Sequence, residues 1–335
     1  MFDNRQKVVA GGGTHNRLYE DIISVENLLV AWKEFVRRKR KKRDVQLFAH
    51  SLMDNILELH EDLKLGRYRH GSYSAFKISD PKPRDIHKAT VRDRLMHHAL
   101  YNILYPFFDR TWIADSYSCR DRKGTHRAMN RFRSFANKVS RNHTRTCWVL
   151  KCDVRKFFAS IDQETLLKIV TRKIEDQRVV DVIREVVGSF SSTELGKGLP
   201  LGNLTSQMLV NVYTNEFDQF MKHRLKARHY IRYADDFVVL SEDKAWLESL
   251  IPQISDFLDK ELKLTLHPTK VYIKTFASGV DFLGWVHFPD HRVIRTASKR
   301  RMIRNLAEGR TPERIQSYKG LLSHGNTHKL STLHL

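Results

Sequence analysis

The sequence predicts a mixed fold of helices and strands, of the α+β or α/β class. Apolar residues recur at helical spacing in several segments, and short apolar, β-branched runs lie between those segments. The chain has 335 residues, of which 41% are hydrophobic, and this is enough to bury a sizeable core. No segment contains the roughly 18 to 20 uninterrupted apolar residues that a membrane span needs, so we expect no membrane segment.

The N-terminal part is predicted to be helical and basic. Residues 1–16 contain three glycines and little apolar content, which indicates a mobile leader. A helical pattern begins near Tyr19 and leads into a run of basic residues at 37–43. That run is either a solvated helix end or a phosphate contact, and the overall charge favours the contact. A second amphipathic segment covers 47–65 and closes at Gly66.

Prolines at positions 81 and 83 predict a boundary near residue 80. Beyond it, helices and strands alternate. We predict a helix over 91–108 that ends around Pro106, a strand over 146–154, a long helix over 204–225, a hairpin over 229–240, a helix over 244–260, strands up to about 288, and a basic helical tail from Ser298.

The charge of the chain indicates a polyanionic partner. Lys and Arg number 59 against 38 Asp and Glu, a formal net charge of +21. Such an excess attracts nucleic acid, although structural RNA-binding proteins and some membrane-surface proteins share it. Cys119, Cys147 and Cys152 form neither an even disulfide framework nor a zinc pattern, so a reduced, cytoplasmic compartment is expected.

Carboxylates stand where strands should be buried. Asp153 ends an apolar strand, and Asp235 and Asp236 occupy the turn of a predicted hairpin. Adjacent carboxylates repel each other unless a cation compensates, and their oxygens suit Mg²⁺. Two such ions would support phosphoryl transfer. The alternative is an ordinary turn, because aspartate is common in turns.

Six segments accompany these carboxylates along the chain. They are DPKPRDIHKATVRDRLMHHAL (80–100), SYSCRDRKGTHRAMNRF (116–132), LKCDVRKFFASID (150–162), GLPLGNLTSQMLVNVYTNEFD (198–218), YADD (233–236) and LTLHPTKVYIKTFASGVDFLGWVHF (264–288). They resemble the motifs of reverse transcriptases and occur in the same order, which favours the metal site over the ordinary turn. The similarity spans roughly residues 75–290.

This resemblance implies an α+β, right-hand polymerase fold. The implied parts are an N-terminal basic helical extension (1–75), fingers (76–149), a palm that carries the YADD hairpin (150–288) and a short basic helical thumb (289–335). It also implies an RNA-directed DNA polymerase that copies template RNA into cDNA from dNTPs with two Mg²⁺ ions, or Mn²⁺ as a substitute.

The resemblance assigns the metal site to Asp153, Asp235 and the backbone carbonyl of Val154, with Asp236 as a weaker or neighbouring carboxylate. Phe158 matches the position whose ring excludes a ribose 2′-hydroxyl. The alternative for Phe158 is a core residue, the role predicted for the preceding phenylalanine.

The nucleotide and template pocket is also assigned by resemblance. Its residues are Lys82, Arg84, Phe158, Gly202, Asn203, Gln207 and Lys270. Lys82 and Arg84 match residues that clamp the triphosphate, since a guanidinium fork suits phosphate; for Lys82 a solvated loop is an equal alternative. Lys270 matches a lysine near the leaving pyrophosphate. The hairpin at 282–285 matches the primer grip, although an ordinary apolar hairpin has the same sequence pattern.

Two further groups on the helix over 91–108 are predicted to be structural. His97 and His98 have no third ligand at metal spacing, so they are interpreted as helix residues. Arg92, Asp93 and Arg94 are expected to make structural or template-backbone contacts rather than to take part in chemistry.

The segment 201–207 reads Leu-Gly-Asn-Leu-Thr-Ser-Gln and resembles the enzymes of diversity-generating retroelements. That resemblance implies misincorporation opposite template adenines in mutagenic retrohoming, with a small basic accessory variability protein and an oligomeric complex. The alternatives are a group II intron-like, retron or phage-defence reverse transcriptase, and a non-enzymatic RNA-binding scaffold.

Overall fold

A computed structural model describes residues 17–78, 83–327 and 330. The predicted leader at 1–16 and Lys82 lie outside the described residues. The chain divides into two compact units. The first comprises the chain up to Thr111 together with Phe158–Tyr213, and the second comprises Trp112–Phe157 and the chain from Thr214 onward.

Helices make up most of the first unit and frame the sheets of the second. The helices are α1 (Leu18–Ile23), α2 (Val25–Phe35), α3 (Arg43–His50), α4 (Leu52–Lys64), α5 (Val91–Asp109), α6 (Thr125–Val139), α7 (Phe157–Ser160), α8 (Gln163–Thr171), α9 (Gln177–Gly188), α10 (Leu204–Gln219), α11 (Lys244–Leu262), α12 (Thr296–Glu308) and α13 (Pro312–Leu322). A π-helical turn, Phe220–Arg224, follows α10.

The strands form three sheets. They are β1 (Ser74–Ile78), β2 (Arg84–Lys88), β3 (Trp148–Asp153), β4 (Tyr230–Tyr233), β5 (Asp236–Ser241), β6 (Tyr272–Thr275), β7 (Val280–Phe282), β8 (Trp285–His287) and β9 (Arg292–Ile294). The sheet orders are β1-β2, β4-β5-β3-β6 and β7-β8-β9, and every neighbouring pair is antiparallel.

In the first unit, α2 packs along α5, and α1 and α4 complete the bundle. The apolar stripe of α2 supplies Leu28 and Phe35, which are completely buried, and α5 supplies Leu95 and Leu104. A three- to four-residue spacing of apolar side chains places them on one helical face, so burial of these stripes against each other holds the bundle together.

Two predicted helices of this unit are each interrupted by a serine. The pattern that begins near Tyr19 breaks at Ser24, which has φ −54° and ψ 143° and whose hydroxyl accepts the amide of Asn27 as an N-cap. The second pattern breaks at Ser51, with φ −117° and ψ 47°. The hydroxyl of Ser24 thus competes with helix continuation, whereas Ser51 makes no side-chain cap hydrogen bond. Hydrophobic spacing alone detects neither break.

The predicted helix over 91–108 is confirmed as α5, Val91–Asp109, but Pro106 lies inside it rather than at its end. A proline removes one amide donor and crowds the preceding turn. Three residues of helix follow Pro106, so the helix tolerates the loss of that one hydrogen bond before it ends.

In the second unit, the four-stranded sheet contains the predicted strand 146–154 as β3, the predicted hairpin as β4 and β5, and β6 beside β3. The predictions of the strand and the hairpin are confirmed. Phe132, Phe135 and Val139 of α6 pack in one cluster with Ile231 and other residues of the sheet. Burial of this cluster fixes α6 against the sheet that carries the acidic residues.

The predicted basic helical tail is confirmed as α12 and α13. Met302, Leu306 and Leu322 of these helices pack in a cluster with Trp285 of β8. No helix of the described residues is long and apolar enough to cross a membrane.

Candidate active site

The three predicted catalytic carboxylates lie together in the second unit. β3 ends at Asp153 and β5 begins at Asp236, and these two residues are register partners across adjacent antiparallel strands. Asp235 precedes Asp236 in the turn, and its carbonyl accepts the amide of Val154 at 3.1 Å. The turn of the β4–β5 hairpin is therefore tied to the end of β3.

The chain that follows α11 holds the other side of this strand end. The amide of His267 donates to the carbonyl of Asp153 at 2.7 Å, and the amide of Arg155 donates to the carbonyl of Thr265 at 2.9 Å. The amide of Lys270 in turn donates to the carbonyl of His267 at 3.2 Å. These backbone bonds bring the predicted Lys270 to the carboxylates.

Two lysines lie against the carboxylates. Lys270 Nζ donates to Asp153 Oδ1 at 2.9 Å, and Lys151 Nζ forms an ion pair with Asp236 Oδ1 at 3.0 Å. Lys151 is only 7% exposed, so its charge is shielded little by water. Sequence reasoning did not single out Lys151. The pattern that could have revealed it is a lysine inside an apolar strand, two residues before Asp153 and therefore on the same face of the strand.

Burial and mutual repulsion disfavour ionisation of these aspartates. Burial raises the pKa of Asp235, and the nearby charge of Asp153 raises it further. Burial raises the pKa of Asp236 to about 6, even though Lys151 acts in the opposite direction. A cluster of this kind is stabilised by added positive charge.

The donor set suits a hard divalent cation. Within the described ranges, no group of three or more His, Cys, Asp or Glu side chains is arranged to hold a metal ion by itself. Mg²⁺ is usually held by one or two carboxylates together with substrate phosphates, so a closed protein cage is not required. Asp153 and its neighbours in the turn supply oxygen donors of that type beside a surface that substrate can reach.

A buried ion pair supports the hairpin that carries the carboxylates. Arg232 of β4 donates from Nε and Nη2 to both carboxylate oxygens of Asp218, at 2.8 and 2.7 Å. Arg232 is 1% exposed and Asp218 is fully buried. Arg232 Nη1 also donates to the carbonyl of Ala234 at 3.2 Å, and Ala234 has a φ of 55°. The ion pair thus holds the residue that precedes Asp235 in a left-handed conformation.

Ser116 and Tyr230 complete this network. Arg232 Nη2 donates to Ser116 Oγ at 3.1 Å, and the hydroxyl of Tyr230 donates to Asp218 Oδ1 at 2.8 Å. Sequence reasoning missed these residues as a group. Their signals were an arginine next to YADD, an aspartate at the end of the 198–218 motif and a serine at the start of the 116–132 motif.

The first unit contains the predicted pocket residues Arg84, Phe158, Gly202, Asn203 and Gln207. The side chain of Arg84 is exposed at the start of β2, where its register partner is Ile78.

The loop before α10 is hydrogen-bonded to β2. His87 donates its amide to the carbonyl of Leu201 at 3.1 Å, and Asn203 Nδ2 donates to the carbonyl of His87 at 3.3 Å. Gly202 has a φ of 106°, and a Cβ atom there would lie 2.9 Å from Ile86 Cγ2. Glycine is needed at this position both for its backbone conformation and for the close approach of β2.

Phe158 lies in the short helix α7 and is partly buried, whereas Phe157 is 4% exposed and belongs to the core as predicted. The carbonyl of Phe158 accepts the amide of Leu199 at 2.9 Å. Gly198, which has a φ of 94°, donates its amide to the carbonyl of Ile161 at 2.7 Å. The loop before α10 therefore also fixes the backbone of α7.

A cavity of about 260 Å³ lies beside this loop within the first unit. Its lining residues are Phe35, Lys39, Arg94, His97, His98, Gly202, Asn203, Leu204 and Gln207. The cavity thus joins the predicted template-side residues to two cationic side chains.

Comparison with protein families agrees with this geometry. Residues 78–287, more than half of the chain, match the family described as reverse transcriptase (RNA-dependent DNA polymerase). The chain belongs to the reverse transcriptase family.

Relatives within the reverse transcriptase family include proteins of group II introns. YkfC of Escherichia coli strain K12 is 27% identical over 260 residues, which cover 66% of this chain and 66% of YkfC. The group II intron-encoded protein LtrA of Lactococcus lactis subsp. cremoris is 23% identical over 295 residues, which cover 67% of this chain and 47% of LtrA. The alignments thus span about half to two thirds of the length of these relatives.

Solved structures identify the fold. Telomerase from Candida tropicalis, truncated from its C-terminal domain, has a TM-score of 0.51 at 12% identity and covers 72% of this chain and 60% of its own. Telomerase from Candida albicans in complex with a fragment of telomeric RNA has a TM-score of 0.53 at 10% identity, with coverages of 72% and 51%. The predicted α+β, right-hand polymerase fold is confirmed.

The helix α5 of this reverse transcriptase-family chain carries structural contacts, as predicted. Arg92 donates to Asp62 at 2.7 Å and Arg94 to Asp44 at 2.6 Å. Asp93 accepts hydrogen bonds from other groups of the first unit, including the hydroxyl of Tyr68 at 2.9 Å.

The hairpin at 282–285 is largely part of the core. The rings of Phe282 and Trp285 are 0% and 2% exposed, and the turn between them, Leu283 and Gly284, has φ values of 54° and 86°. Positive φ at both central residues is typical of a tight two-residue hairpin turn. A primer-gripping role for this hairpin stays a prediction. Because Phe282 and Trp285 are buried, Leu283 and Gly284 of the turn are the residues of this hairpin that could contact a primer.

Proposed function

We propose that this chain is an RNA-directed DNA polymerase, which copies a template RNA into cDNA by adding deoxynucleotides to a primer 3′ end. The observation that carries the proposal is the pairing of Asp153 with Asp236 across adjacent strands, with Asp235 in the adjoining turn. Buried carboxylates repel each other, and two-metal phosphoryl transfer is a chemistry that uses such a cluster. Template RNA, the growing cDNA and dNTPs are the proposed partners.

In this proposal Asp153, Asp235 and the carbonyl of Val154 hold two Mg²⁺ ions, with Asp236 beside them and Mn²⁺ as an alternative ion. When bound, the ions supply Lewis-acid stabilisation of the transferring phosphate and lower the pKa of the attacking hydroxyl. Lys270, 2.9 Å from Asp153 Oδ1, neutralises or protonates the leaving pyrophosphate.

The nucleotide pocket is proposed from residues of the first unit. Arg84 clamps the triphosphate with its planar fork, and Lys82 assists it on sequence grounds alone. Phe158 excludes ribonucleotides, because its ring leaves no room for a 2′-hydroxyl. Gly202, Asn203 and Gln207 lie on the template side, and the cavity beside them supports this assignment.

The predicted parts of the polymerase remain part of the proposal. They are the N-terminal extension (1–75), the fingers (76–149), the palm (150–288) and the thumb (289–335). The four-stranded sheet that carries Asp153 supports the placement of the palm, and the paired helices α12 and α13 support a helical thumb.

We further propose that the enzyme is error-prone at template adenines and serves mutagenic retrohoming in a diversity-generating retroelement, with a small basic accessory protein in an oligomeric complex. The sequence of the 201–207 segment supports this. By the resemblance, Gln207 departs from the proline that ends this motif in many bacterial and intron-type reverse transcriptases. The backbone amide of Gln207 donates a long hydrogen bond, 3.4 Å, to the carbonyl of Asn203. In this proposal, the side chain of Gln207 can both donate and accept hydrogen bonds, and the first turn of α10 is held by a long hydrogen bond. Both features would let the pocket tolerate the altered geometry of a mispaired base.

The fidelity hypothesis is tested by replacing Leu201→Gln and Gln207→Pro together. We expect fewer errors opposite adenine when cDNA made from a defined RNA is deep-sequenced, with and without a candidate accessory protein. Equal adenine error rates in both forms would remove this explanation. The similarity to LtrA favours the second candidate, a group II intron-like enzyme, and uniformly low adenine errors in the parent chain would support it.

Polymerase activity itself is tested by extension of a labelled DNA primer on an RNA template with Mg²⁺ and dNTPs. The proposal expects template-dependent products whose sequence is complementary to the RNA. A chain that binds the primer–template but adds no nucleotide with Mg²⁺ or Mn²⁺ would instead be a non-enzymatic RNA-binding scaffold.

A further inference from the structure

A second basic surface lies on α6, in the second unit and outside the catalytic residues. The buried face of α6 supplies core residues such as Phe132 and Phe135. The opposite face and the turn after the helix line an open groove of about 610 Å³. Its lining residues, here called the α6 groove, are Asn130, Arg133, Ser134, Asn137, Lys138, Arg141 and Asn142.

The cations of the α6 groove are not neutralised by the protein. Arg133, Lys138 and Arg141 are exposed, and across the described ranges no acidic side chain forms an ion pair with them. Arg145, just beyond the groove, shows the contrast, because it is paired with Glu242 at 3.1 Å. Two of these cations lie on the exposed part of α6 and Arg141 lies in the turn after it, and together they form a local positive potential that attracts an anion.

Neighbouring groups respond to this positive potential. The pKa of Arg292 is lowered by burial and then by the charge of Arg133. The pKa of His229 is lowered by burial and then by surrounding cations that include Lys138. Both effects describe a surface with an excess of positive charge that a bound anion would relieve.

Polar donors and acceptors are interleaved with the cations. Asn130 accepts Arg292 Nη1 at 3.3 Å, and Arg133 Nη2 donates to the carbonyl of Asp290 at 3.2 Å, so both are oriented. Asn137 Oδ1 is buried and has no hydrogen-bond partner among the described residues. A buried amide oxygen without a partner is uncommon in folded proteins, and Asn137 is one of the residues that line the groove.

The end of the groove has an unusual backbone. Arg141, Asn142 and His143 have φ values of 47°, 54° and 71°, so three consecutive residues other than glycine are left-handed. Side chains with a Cβ adopt this conformation only at a cost. The turn is held by the amide of Asn142, which donates to the carbonyl of Asn137 at 2.8 Å, and its Arg141 lines the same groove as the α6 cations.

We propose that the α6 groove binds the phosphodiester backbone of a base-paired segment of RNA. Guanidinium groups match phosphate oxygens, and amide and hydroxyl groups bond to phosphates and ribose 2′-hydroxyls. The helical part of the groove extends over about 12 Å from Asn130 to Lys138, from the 1.5 Å helical rise, and the turn that carries Arg141 continues it. The proposal takes RNA as the ligand from the proposed function, but it assigns a holding surface that is separate from the catalytic carboxylates.

The composition of the groove distinguishes this ligand from two others. Protein interfaces place aromatic or apolar anchors at their centre, and single-stranded RNA is bound by stacking of bases on aromatic rings. No aromatic or aliphatic side chain lines the α6 groove. Recognition is therefore of the duplex backbone and carries no sequence preference.

The test measures RNA binding without nucleotides, so that its failure is distinct from a failure of polymerase activity. The probe is a fully paired RNA hairpin of arbitrary sequence, titrated over a range of salt concentrations with the full chain and with the triple variant Arg133→Gln, Lys138→Gln, Arg141→Gln. We expect at least tenfold weaker binding and a salt slope lower by roughly 2 to 3, because each phosphate contact contributes about 0.7 to 0.9.

The matched control removes three exposed lysines from α11 and the residue after it in the same unit, as Lys244→Gln, Lys260→Gln and Lys263→Gln. It should leave both affinity and slope close to those of the parent chain. Equal losses in the two triple variants, or none in the α6 variant, would overturn the proposal.

Two further measurements complete the test. The single variant Arg141→Glu, an exposed turn residue, should weaken hairpin binding even if the triple variant folds poorly. Primer extension on a short unpaired template should be unchanged in both α6 variants. The assignment of the ligand would be refuted if the α6 variants lost more affinity for single-stranded RNA than for the hairpin. It would also be refuted if they lost affinity for an acidic peptide and kept their affinity for RNA.

Discussion

Removal of one partner from the buried pair Arg232–Asp218 should loosen the hairpin that carries two of the proposed catalytic carboxylates, Asp235 and Asp236. In Asp218→Asn, the guanidinium of Arg232 stays at 1% exposure and loses the charge that balances it. An uncompensated buried charge costs about 3 to 5 kcal/mol. We therefore expect this single substitution to be among the most destabilising polar changes in the second unit.

The structure also predicts what a double substitution does. Asp218→Leu with Arg232→Met removes both charges and keeps apolar volume, which is often close to neutral for a buried pair. The carbonyl of Ala234 and the hydroxyl of Tyr230 then lose their partners, at about 1 to 3 kcal/mol for each group left unpaired. The loss of stability in the double variant should therefore be smaller than the sum of the losses in the two single variants.

Hydrogen exchange followed by mass spectrometry measures this effect locally. A loss of 3 to 5 kcal/mol should speed exchange of the β4 and β5 amides by about 100- to 4,000-fold, since each 1.4 kcal/mol is a factor of ten. The control is Glu242→Gln, which breaks the exposed pair with Arg145 and should leave exchange unchanged. Acceleration below tenfold in Asp218→Asn, or strictly additive losses in the double variant, would refute the reasoning.

Three further substitutions have defined outcomes. Phe158→Ala should raise incorporation of ribonucleotides relative to deoxynucleotides in a single-nucleotide assay, and unchanged sugar discrimination would remove the gate assignment. Gly202→Ala should destabilise the first unit by about 1 to 3 kcal/mol, because φ is 106° and the new Cβ would meet Ile86. Addition of Ile86→Ala to this variant should relieve the contact but not the backbone strain. A Gly202→Ala variant as stable as the parent chain would contradict this reasoning. Burial and then the charge of His70 lower the pKa of His97 to about 3, against about 6.5 in the unfolded chain. The unfolded chain thus binds the extra proton, so the free energy of unfolding should fall as pH drops from 6.5 toward 3, by at most about 1.4 kcal/mol per pH unit. Denaturation midpoints of His97→Gln should vary less with pH over this window than those of the parent chain.

The strands that carry the proposed catalytic residues were predictable because their sequence signals are local. An apolar run that ends in Asp153 has few alternatives to a buried strand, and apolar residues on both sides of the 235–236 turn specify a hairpin. The register between Asp153 and Asp236 then follows from pairing these two elements, which the family motifs indicate.

Other features depend on contacts that one-dimensional patterns do not contain. The breaks at Ser24 and Ser51 follow from backbone geometry rather than from hydrophobic spacing, which continues across both. β1 was not predicted. All five of its residues are exposed, including Phe76 and Ile78, so the strand has no buried face.

The buried polar groups were the hardest to foresee. Arg232 and Asp218 read as ordinary charged residues until the fold removes both from water, and their pairing needs the end of α10 and the start of β4 to meet. Lys151 likewise becomes a partner of Asp236 only through the register of β3 with β5.

The central claim is that Asp153 and Asp235 hold the metal ions used for nucleotide addition, and single-nucleotide incorporation on an RNA template with Mg²⁺ tests it most directly. The parent chain is compared with Asp153→Asn, with Asp235→Asn and with Asp256→Asn, an exposed control on α11. Metal ligation supplies several kcal/mol of transition-state stabilisation, so each active-site variant should be slower by at least about 100-fold while it still binds the primer–template. The control should match the parent chain. Incorporation at the parental rate by either active-site variant would contradict the account.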